Sequence, residues 1–477
     1  MTSAFNPEIF REYDIRGIAD RDLTDPVIEM LGKAFAQYLR PIGINKVTIG
    51  YDARLSSPRL RDALGRGLTA SGFDVVDIGL CPTPALYFSL YHLKPGAGIM
   101  ITGSHNPAEF NGFKLCVDKD TIYGAEIQKL NGIMASLRGS VGGSQEQEGK
   151  GAITKHLIIP DYKSHLKGLF QKYRDVPLKV VLDSGNGTAG LASPEIIRAM
   201  GCEVIELYSE PDGRFPNHHP DPTIPKNLET LISTVKKERA DFGVAFDGDS
   251  DRIGVVDEQG TVLWGDQLMV LFSRDILLDR PGATFVSEVK CSQTMYDDIR
   301  KHGGKAIMWK TGHSLIKAKM KETGAALAGE MSGHIFFADR YFGYDDAIYA
   351  ACRVVELLKK TRQQKKVKEP FSSLIADLPK TFNTPEIRFD CPDALKFKVV
   401  EQVQRIYAAP EKLSLPVREV ITVDGIRAVF ENGWGLIRAS NTQPVLVMRF
   451  EAADQASLQA IKSLMEEQVR QVITGLR

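Results

Sequence analysis

Over the first three-quarters of this 477-residue chain, short apolar, β-branched runs alternate with amphipathic segments. The strand-like runs are 46–51, 98–102, 178–183, 242–247, 284–289 and 306–309. Between them lie helical patterns at 25–40, 58–70, 228–239, 292–302 and 345–360. Alternation of this kind predicts α/β units on mixed or parallel sheets, because each helix covers the apolar face of a sheet that cannot be solvated. Ser57 stands where a cap is needed for the helix that Pro58 opens.

Such a chain is too long for one typical core. Composition breaks suggest boundaries near 142–151, 258–260 and 365–370, giving segments 1–153, 154–258, 259–368 and 369–477. The lysine-rich stretch 363–370 reads as a solvated connection. Beyond it the alternation changes. Strand-like stretches near 419–430 and 445–450 precede a helix at 454–476, which reads as a smaller α+β domain.

Lys+Arg and Asp+Glu number 60 each, so the formal net charge is zero, which argues against a broad nucleic-acid-binding face. The six cysteines are scattered with no C-x-x-C pair, which argues against a zinc site or redox dithiol and for buried thiols in a reducing compartment. Residues 1–10 lack the basic and apolar regions of a signal peptide, and no apolar run approaches the ~18–20 residues of a membrane span. A soluble cytoplasmic protein is expected, with no membrane or nucleic-acid partner.

Four loops carry groups with chemical potential. Thr102-Gly-Ser-His-Asn-Pro107 follows an apolar strand directly. Glycine and proline around Ser104 place its hydroxyl on a tight turn at a strand's carboxyl end, where open α/β sheets bind ligands. His105 and Lys114 are close enough in sequence to activate it. A simple capped turn would have the same composition. Asp247-Gly-Asp-Ser-Asp-Arg252 sets three carboxylates at alternate positions after the strand at 242–247. Without a cation they would repel one another, and an oxygen-only set suits Mg²⁺. A calcium EF-hand is excluded because Arg252 occupies the sixth position, where that loop requires glycine, and the flanks read as strands. Arg252 offers a guanidinium for a phosphoryl oxygen or for the aspartates themselves.

Gly329-Glu-Met-Ser-Gly-His334 offers Glu330, Ser332 and His334 at alternate positions, a set suited to vicinal sugar hydroxyls. Arg438-Ala-Ser-Asn-Thr-Gln-Pro444, preceded by Gly433 and Gly435, has the makings of a phosphate cradle from Arg438, Ser440, Asn441 and Thr442. Tyr13-Asp-Ile-Arg16, Lys290 and His313 add further cationic, phenolic or imidazole groups near loops. Asp183-Ser-Gly-Asn-Gly-Thr188 reads as a turn that shapes backbone and contacts no ligand.

Taken together and in this order, the four loops resemble the α-D-phosphohexomutase superfamily over essentially the whole chain, with closest similarity to the bacterial phosphomannomutase/phosphoglucomutase group. Met331 and the run Ser440-Asn-Thr-Gln-Pro444 set it apart from the phosphoglucosamine mutases, which usually carry glutamine and S-G-T-E-P there. The resemblance implies three similar mixed α/β domains and a smaller α+β C-terminal domain around a central active-site cleft. It implies that Ser104 carries the phosphoryl group and that Asp247, Asp249, Asp251 and the serine phosphate hold Mg²⁺. Glu330 and Ser332, with His334 nearby, would read sugar hydroxyls, and Arg438, Ser440, Asn441 and Thr442 would hold the distal phosphate. Tyr13, Arg252, Lys290 and His313 join the expected substrate-binding set.

The implied reaction interconverts hexose 1- and 6-phosphates of mannose or glucose through a hexose 1,6-bisphosphate, with Lys114, His334 and Arg16 as acid/base candidates. The expected partners are small hexose phosphates, and the expected state is a monomer or weak homodimer. Alternatives are a phosphoglucosamine mutase, a magnesium-dependent sugar phosphatase with Asp247 as nucleophile, and a non-catalytic sugar-phosphate binder.

Overall fold

A computed structural model of the chain describes residues 5–139, 151–409, 413–440 and 443–476. It divides into two compact units, one formed by Met1–Gly265 with Ser332–Leu374 and the other by Asp266–Met331 with Ile375–Arg477.

The first unit holds two sheets. In one the strand order is Ile15–Ile18, Phe110–Val117, Gly96–Ile101, Lys46–Tyr51, Asp74–Leu80, Ile153–Lys155, with Asp120–Thr121 beside Phe110–Val117. Its centre is parallel, and Phe110–Val117 runs antiparallel against Gly96–Ile101 with Met100 opposite Lys114. That register lays Lys114 next to the strand that delivers the serine loop. Helices Asp25–Leu39 and Ser57–Ala70 bury Ile28, Leu31, Phe35 and Leu64 with Val47, Ile49 and Ile99 of the sheet. Each such side chain removed from water contributes ~1.5–3 kcal/mol, enough in sum to hold the sheet rigid beneath its loops.

The other sheet runs Val262–Leu263, Ile253–Asp257, Phe242–Phe246, Leu178–Asp183, Cys202–Leu207, parallel among the last three and antiparallel at the edge that carries the acidic loop. Helix Ala347–Lys365 starts where the Asp346 side chain accepts from Tyr349 N at 2.8 Å.

The second unit pairs a parallel set, Lys305–Trp309, Thr284–Glu288 and Leu327–Gly329, with an antiparallel sheet. That sheet runs Phe382–Asn383, Val445–Ala452, Gly433–Ala439, Ile426–Phe430, Val417–Ile421, with Ile387–Asp390 also on Val445–Ala452. Helices Asp393–Tyr407 and Gln455–Leu476 cover one face, burying Val403, Tyr407, Leu458, Ile461 and Met465. The chain is thus an α/β protein with three mixed α/β regions and a C-terminal α+β region.

The named strands and helices of the alternating region appear within a few residues of their expected ends. Two readings of the sequence are corrected. Ser57 does not cap its helix: it is the first helical residue, and its hydroxyl donates to Asp52 Oδ1 at 2.7 Å. The basic stretch near 365 is not simply a connection, because the preceding helix continues through Lys365. Gly433 and Gly435, which precede the Arg438 loop, answer to packing. They lie within strand Gly433–Ala439, and a Cβ on Gly435 would stand 2.2 Å from Met465 Sδ. Helix packing, not ligand contact, accounts for that glycine.

Candidate active site

Each chemically marked loop leaves the carboxyl end of a strand, where backbone groups lack ladder partners and side chains converge. The serine loop follows Gly96–Ile101. Ser104 has φ 49°, left-handed backbone that a residue with a Cβ adopts at a cost of ~1–3 kcal/mol. Its amide donates to Thr102 Oγ1 at 2.8 Å. The hydroxyl, on a residue only 3% exposed, donates to Asp247 Oδ2 at 2.9 Å and lies 3.0 Å from His105 Nδ1. Desolvation and the Arg252 and Arg16 guanidinium groups hold the His105 imidazole well below the ordinary histidine range, so it is neutral at pH 7.

Asp247, Asp249 and Asp251 are fully buried, and one oxygen of each lies within 4.8 Å of the others. Asp247 Oδ1 accepts the amides of Asp251 and Arg252 at 3.0 and 3.1 Å. Asp249 Oδ2 accepts from Thr83 Oγ1 at 2.5 Å and from Lys114 Nζ at 2.7 Å, and Lys114 also reaches Asp251 Oδ2 at 2.5 Å. Burial and the Asp251 and Asp249 charges push Asp247 well above the usual carboxylate range. Burial would likewise raise Asp249, but the Lys114 ammonium outweighs it and holds Asp249 below that range. Burial alone would depress Lys114. The Asp249 and Asp251 carboxylates reverse this and hold it above the ordinary lysine range.

Three buried carboxylates against one buried ammonium leave net negative charge in a low dielectric, a costly state unless a cation enters. Asp249 Oδ1 and Asp251 Oδ1 are buried with no hydrogen-bond partner among the described residues. Oxygen-only donors with two such atoms fit a hard divalent cation.

Arg252 Nε donates to His334 Nε2 at 2.9 Å, and His334 Nδ1 stands 3.0 Å from Asp345 Oδ2 and 3.6 Å from Asp251 Oδ1. Arg16 pairs with Asp14 on the strand beside Gly112, and Tyr13 lies half-buried just before it. The first unit therefore brings Ser104, Lys114, the three aspartates, Arg252 and His334 into one connected set.

The second unit gathers another. Lys290 Nζ lies 3.3 Å from Glu386 and 3.9 Å from Glu288, and burial is outweighed by these carboxylates, so its pKa is raised. Arg438 Nε donates to Asp424 Oδ2 at 2.9 Å. Glu330 Oε1 accepts from Gly312 N at 3.0 Å, beside half-buried His313 at the first position of helix His313–Thr323. Ser440 Oγ accepts from Gln443 N at 3.2 Å. Ser332, which belongs to the first unit, is half-buried. Asn441 and Thr442 lie outside the described residues.

Sequence reasoning passed over Asp52, Arg54, Thr83, Asp345, Glu288, Glu386 and Asp424. Asp52 and Arg54 follow strand Lys46–Tyr51 and Glu288 ends Thr284–Glu288, so their place at strand ends was a usable signal. The others are marked by nothing local.

Family models for phosphoglucomutase/phosphomannomutase match in chain order: domain I at residues 7–138, domain II at 160–260, domain III at 264–382 and the C-terminal domain at 386–468. A phosphomannomutase/phosphoglucomutase of Pseudomonas putida is 44% identical over 470 residues, covering 98% of this chain and 97% of that protein. A phosphoglucomutase of Neisseria gonorrhoeae is 42% identical, covering 96% and 95%. The crystal structure of a phosphoglucomutase/phosphomannomutase family protein from Burkholderia thailandensis superposes with a TM-score of 0.89 at 38% identity, covering 99% of each chain. Fold, site and relatives define a phosphohexomutase, an isomerase that moves a phosphoryl group. The chain belongs to the phosphoglucomutase/phosphomannomutase family.

Proposed function

We propose that this enzyme interconverts the 1- and 6-phosphates of mannose and glucose through a phosphorylated Ser104 and a hexose 1,6-bisphosphate, with Mg²⁺ held by Asp247, Asp249, Asp251 and the serine group. One observation carries the reading: a strained, buried serine hydroxyl 2.9 Å from a buried triad of carboxylates that the protein alone leaves undersatisfied. Phosphoryl transfer gains mainly from positioning and charge stabilisation. A bound magnesium ion supplies that charge at the serine.

The chain's own residues do the rest. Asp247 Oδ2 orients the Ser104 hydroxyl through the existing hydrogen bond, and neutral His105 sits on the hydroxyl's other side. Lys114 stays an ammonium and holds Asp249 and Asp251 together, which leaves Arg16 and His334 the better placed of the three acid/base candidates for proton exchange with a sugar hydroxyl. Arg252 Nε donates to His334 Nε2 and so orients the imidazole. Lys290, His313, Glu330, Ser332 and Tyr13 bind the sugar phosphate, and Arg438, Ser440, Asn441 and Thr442 take the phosphate not in transit. The labour divides over segments 1–153, 154–258, 259–368 and 369–477. Six buried thiols, none of them in a disulfide, support a reducing, cytoplasmic setting.

A coupled assay on glucose, mannose and glucosamine 1-phosphates, primed with bisphosphate, tests this together with Ser104→Ala. Comparable rates on the first two, little on the third, phosphate on Ser104 by intact mass and no turnover in the variant are expected. Undiminished turnover by Ser104→Ala would refute the reading.

A further inference from the structure

Beneath the serine loop lies a buried arginine that none of the four motifs contains. The Arg54 side chain is 0% exposed, and each of its five guanidinium N–H groups has an acceptor. Nε donates to Asp52 Oδ2 at 3.2 Å. Nη1 donates to the carbonyls of Pro107 at 2.5 Å and Phe110 at 2.8 Å. Nη2 donates to those of Ser104 at 2.8 Å and Asn106 at 2.6 Å. Four donors thus go to the short stretch 104–110, including the carbonyl of the serine itself. Asp52 completes the clamp by accepting Thr102 Oγ1 at 2.9 Å and Gly103 N at 3.1 Å, while Thr102 Oγ1 accepts the serine amide.

Gly103 belongs to the same device. A Cβ there would stand 2.4 Å from Arg54 Cζ, so the glycine before the serine is demanded by the guanidinium that fills its side-chain space. The ring of Phe215 faces the guanidinium at 5.3 Å from its centroid, which leaves little room for water to substitute for a lost donor.

We propose that Arg54 is the positioning residue for phosphoryl transfer: it holds the loop in the one conformation that keeps Ser104 left-handed and its Oγ aimed at Asp247. The five Arg54 hydrogen bonds go to Asp52 and to loop carbonyls, not to the serine hydroxyl or the carboxylate triad, so its hold on the serine is positional. A lysine offers three donors on a flexible stem in place of a planar fork of five, and the substitution is therefore not conservative here. The proposal rests on the phosphoserine reading above.

The experiment is single-turnover uptake of phosphate by the full-length protein from hexose 1,6-bisphosphate, followed by intact mass, with KM for hexose 1-phosphate measured beside it. A displacement of about an ångström at a reacting group lowers rates ~10²-fold, and Arg54→Lys is expected to slow uptake by about that factor with KM little changed. Arg54→Ala should slow it further and recover on addition of millimolar methylguanidinium, which fits the vacated space. Should Arg54→Ala fail to fold, Gly103→Ala serves instead, since its methyl group displaces the guanidinium and must slow uptake in a chain that retains every catalytic side chain.

Uptake by Arg54→Lys at the wild-type rate overturns the proposal. So does a folded Arg54→Ala that is slow but indifferent to methylguanidinium, because a purely structural role would give that result. If the wild-type protein takes up phosphate on Ser104 and the Arg54 variants do so equally fast, only the positioning role fails. If Ser104→Ala itself keeps turning over, the phosphoserine reading fails and this proposal falls with it.

Discussion

The two units solve opposite problems with the same kinds of residue. In the first, three carboxylates crowd together with one ammonium among them, and two of their oxygens have no donor among the described residues. In the second, the cations are the groups of interest, and each leans on a carboxylate of the protein: Lys290 on Glu386 and Glu288, Arg438 on Asp424. The first set is incomplete until a cation joins it. The second is complete already, so an incoming phosphate must share or displace an existing partner. On the function proposed above, one site suits a resident ion and the other a ligand that comes and goes.

The largest way to break this contrast is to remove what the first unit awaits. Exhaustive chelation should abolish turnover and added Mg²⁺ restore it, and Asp251→Asn should lower kcat/KM by at least ~10²-fold at any magnesium concentration. Activity surviving complete chelation would deny that the triad needs an ion. Lys114→Met comes next: it takes from the carboxylates the ammonium that bridges Asp249 and Asp251 and should destabilise the metal-free protein by ~3–5 kcal/mol in urea melts. Magnesium should return part of that loss in the variant, and equal losses with and without the ion would contradict the account.

Asp346 provides a pH test within the first unit. Desolvation raises its carboxyl to about 6, although Tyr349 N and the hydroxyls of Tyr162 and Tyr341 oppose the shift. Its folded-state value lies above the ordinary 3.8, so the folded protein binds the proton more tightly than the unfolded chain. The stabilisation is full below about pH 4 and is lost as pH rises through 6, a change of roughly 3 kcal/mol. Asp346→Asn keeps the helix cap but cannot titrate, so its stability relative to the wild type should climb between pH 4 and 7. A difference independent of pH would exclude Asp346 as the source. The smallest effect belongs to the second unit. Glu386→Gln weakens one partly exposed partner of Lys290 and should tighten hexose-phosphate binding by less than about fivefold, since such pairs are worth at most ~1 kcal/mol. Weaker binding would mean that Glu386 orients Lys290 rather than competing for it.

Strand-end loops made much of both clusters legible. Ser104, Asp247 and Glu330 each follow an apolar β run, and local pattern sufficed to single them out. Pattern did not find their supports, because contact in space left no mark in sequence. Thr83 meets Asp249 across 166 positions and Arg54 meets Ser104 across 50, and neither sits in a composition that stands out. Local signals also misled where a residue type has two uses. Ser57 before a helix reads as a cap, but its hydroxyl serves Asp52, and the helix begins without a side-chain cap. Fold class depends on periodicity, which is redundant along the chain. Those supporting contacts depend on single pairings, which are not.

On the phosphoserine reading, the positive φ at position 104 also selects which alcohol can do the carrying. Threonine has the same oxygen and esterifies phosphate as readily, but its branched Cβ is poorly tolerated in left-handed backbone. The preference for the smaller amino acid is therefore a matter of torsion, not reactivity. Any redesign aimed at a different nucleophile on this loop has to begin with the peptide geometry and only afterwards with the side chain.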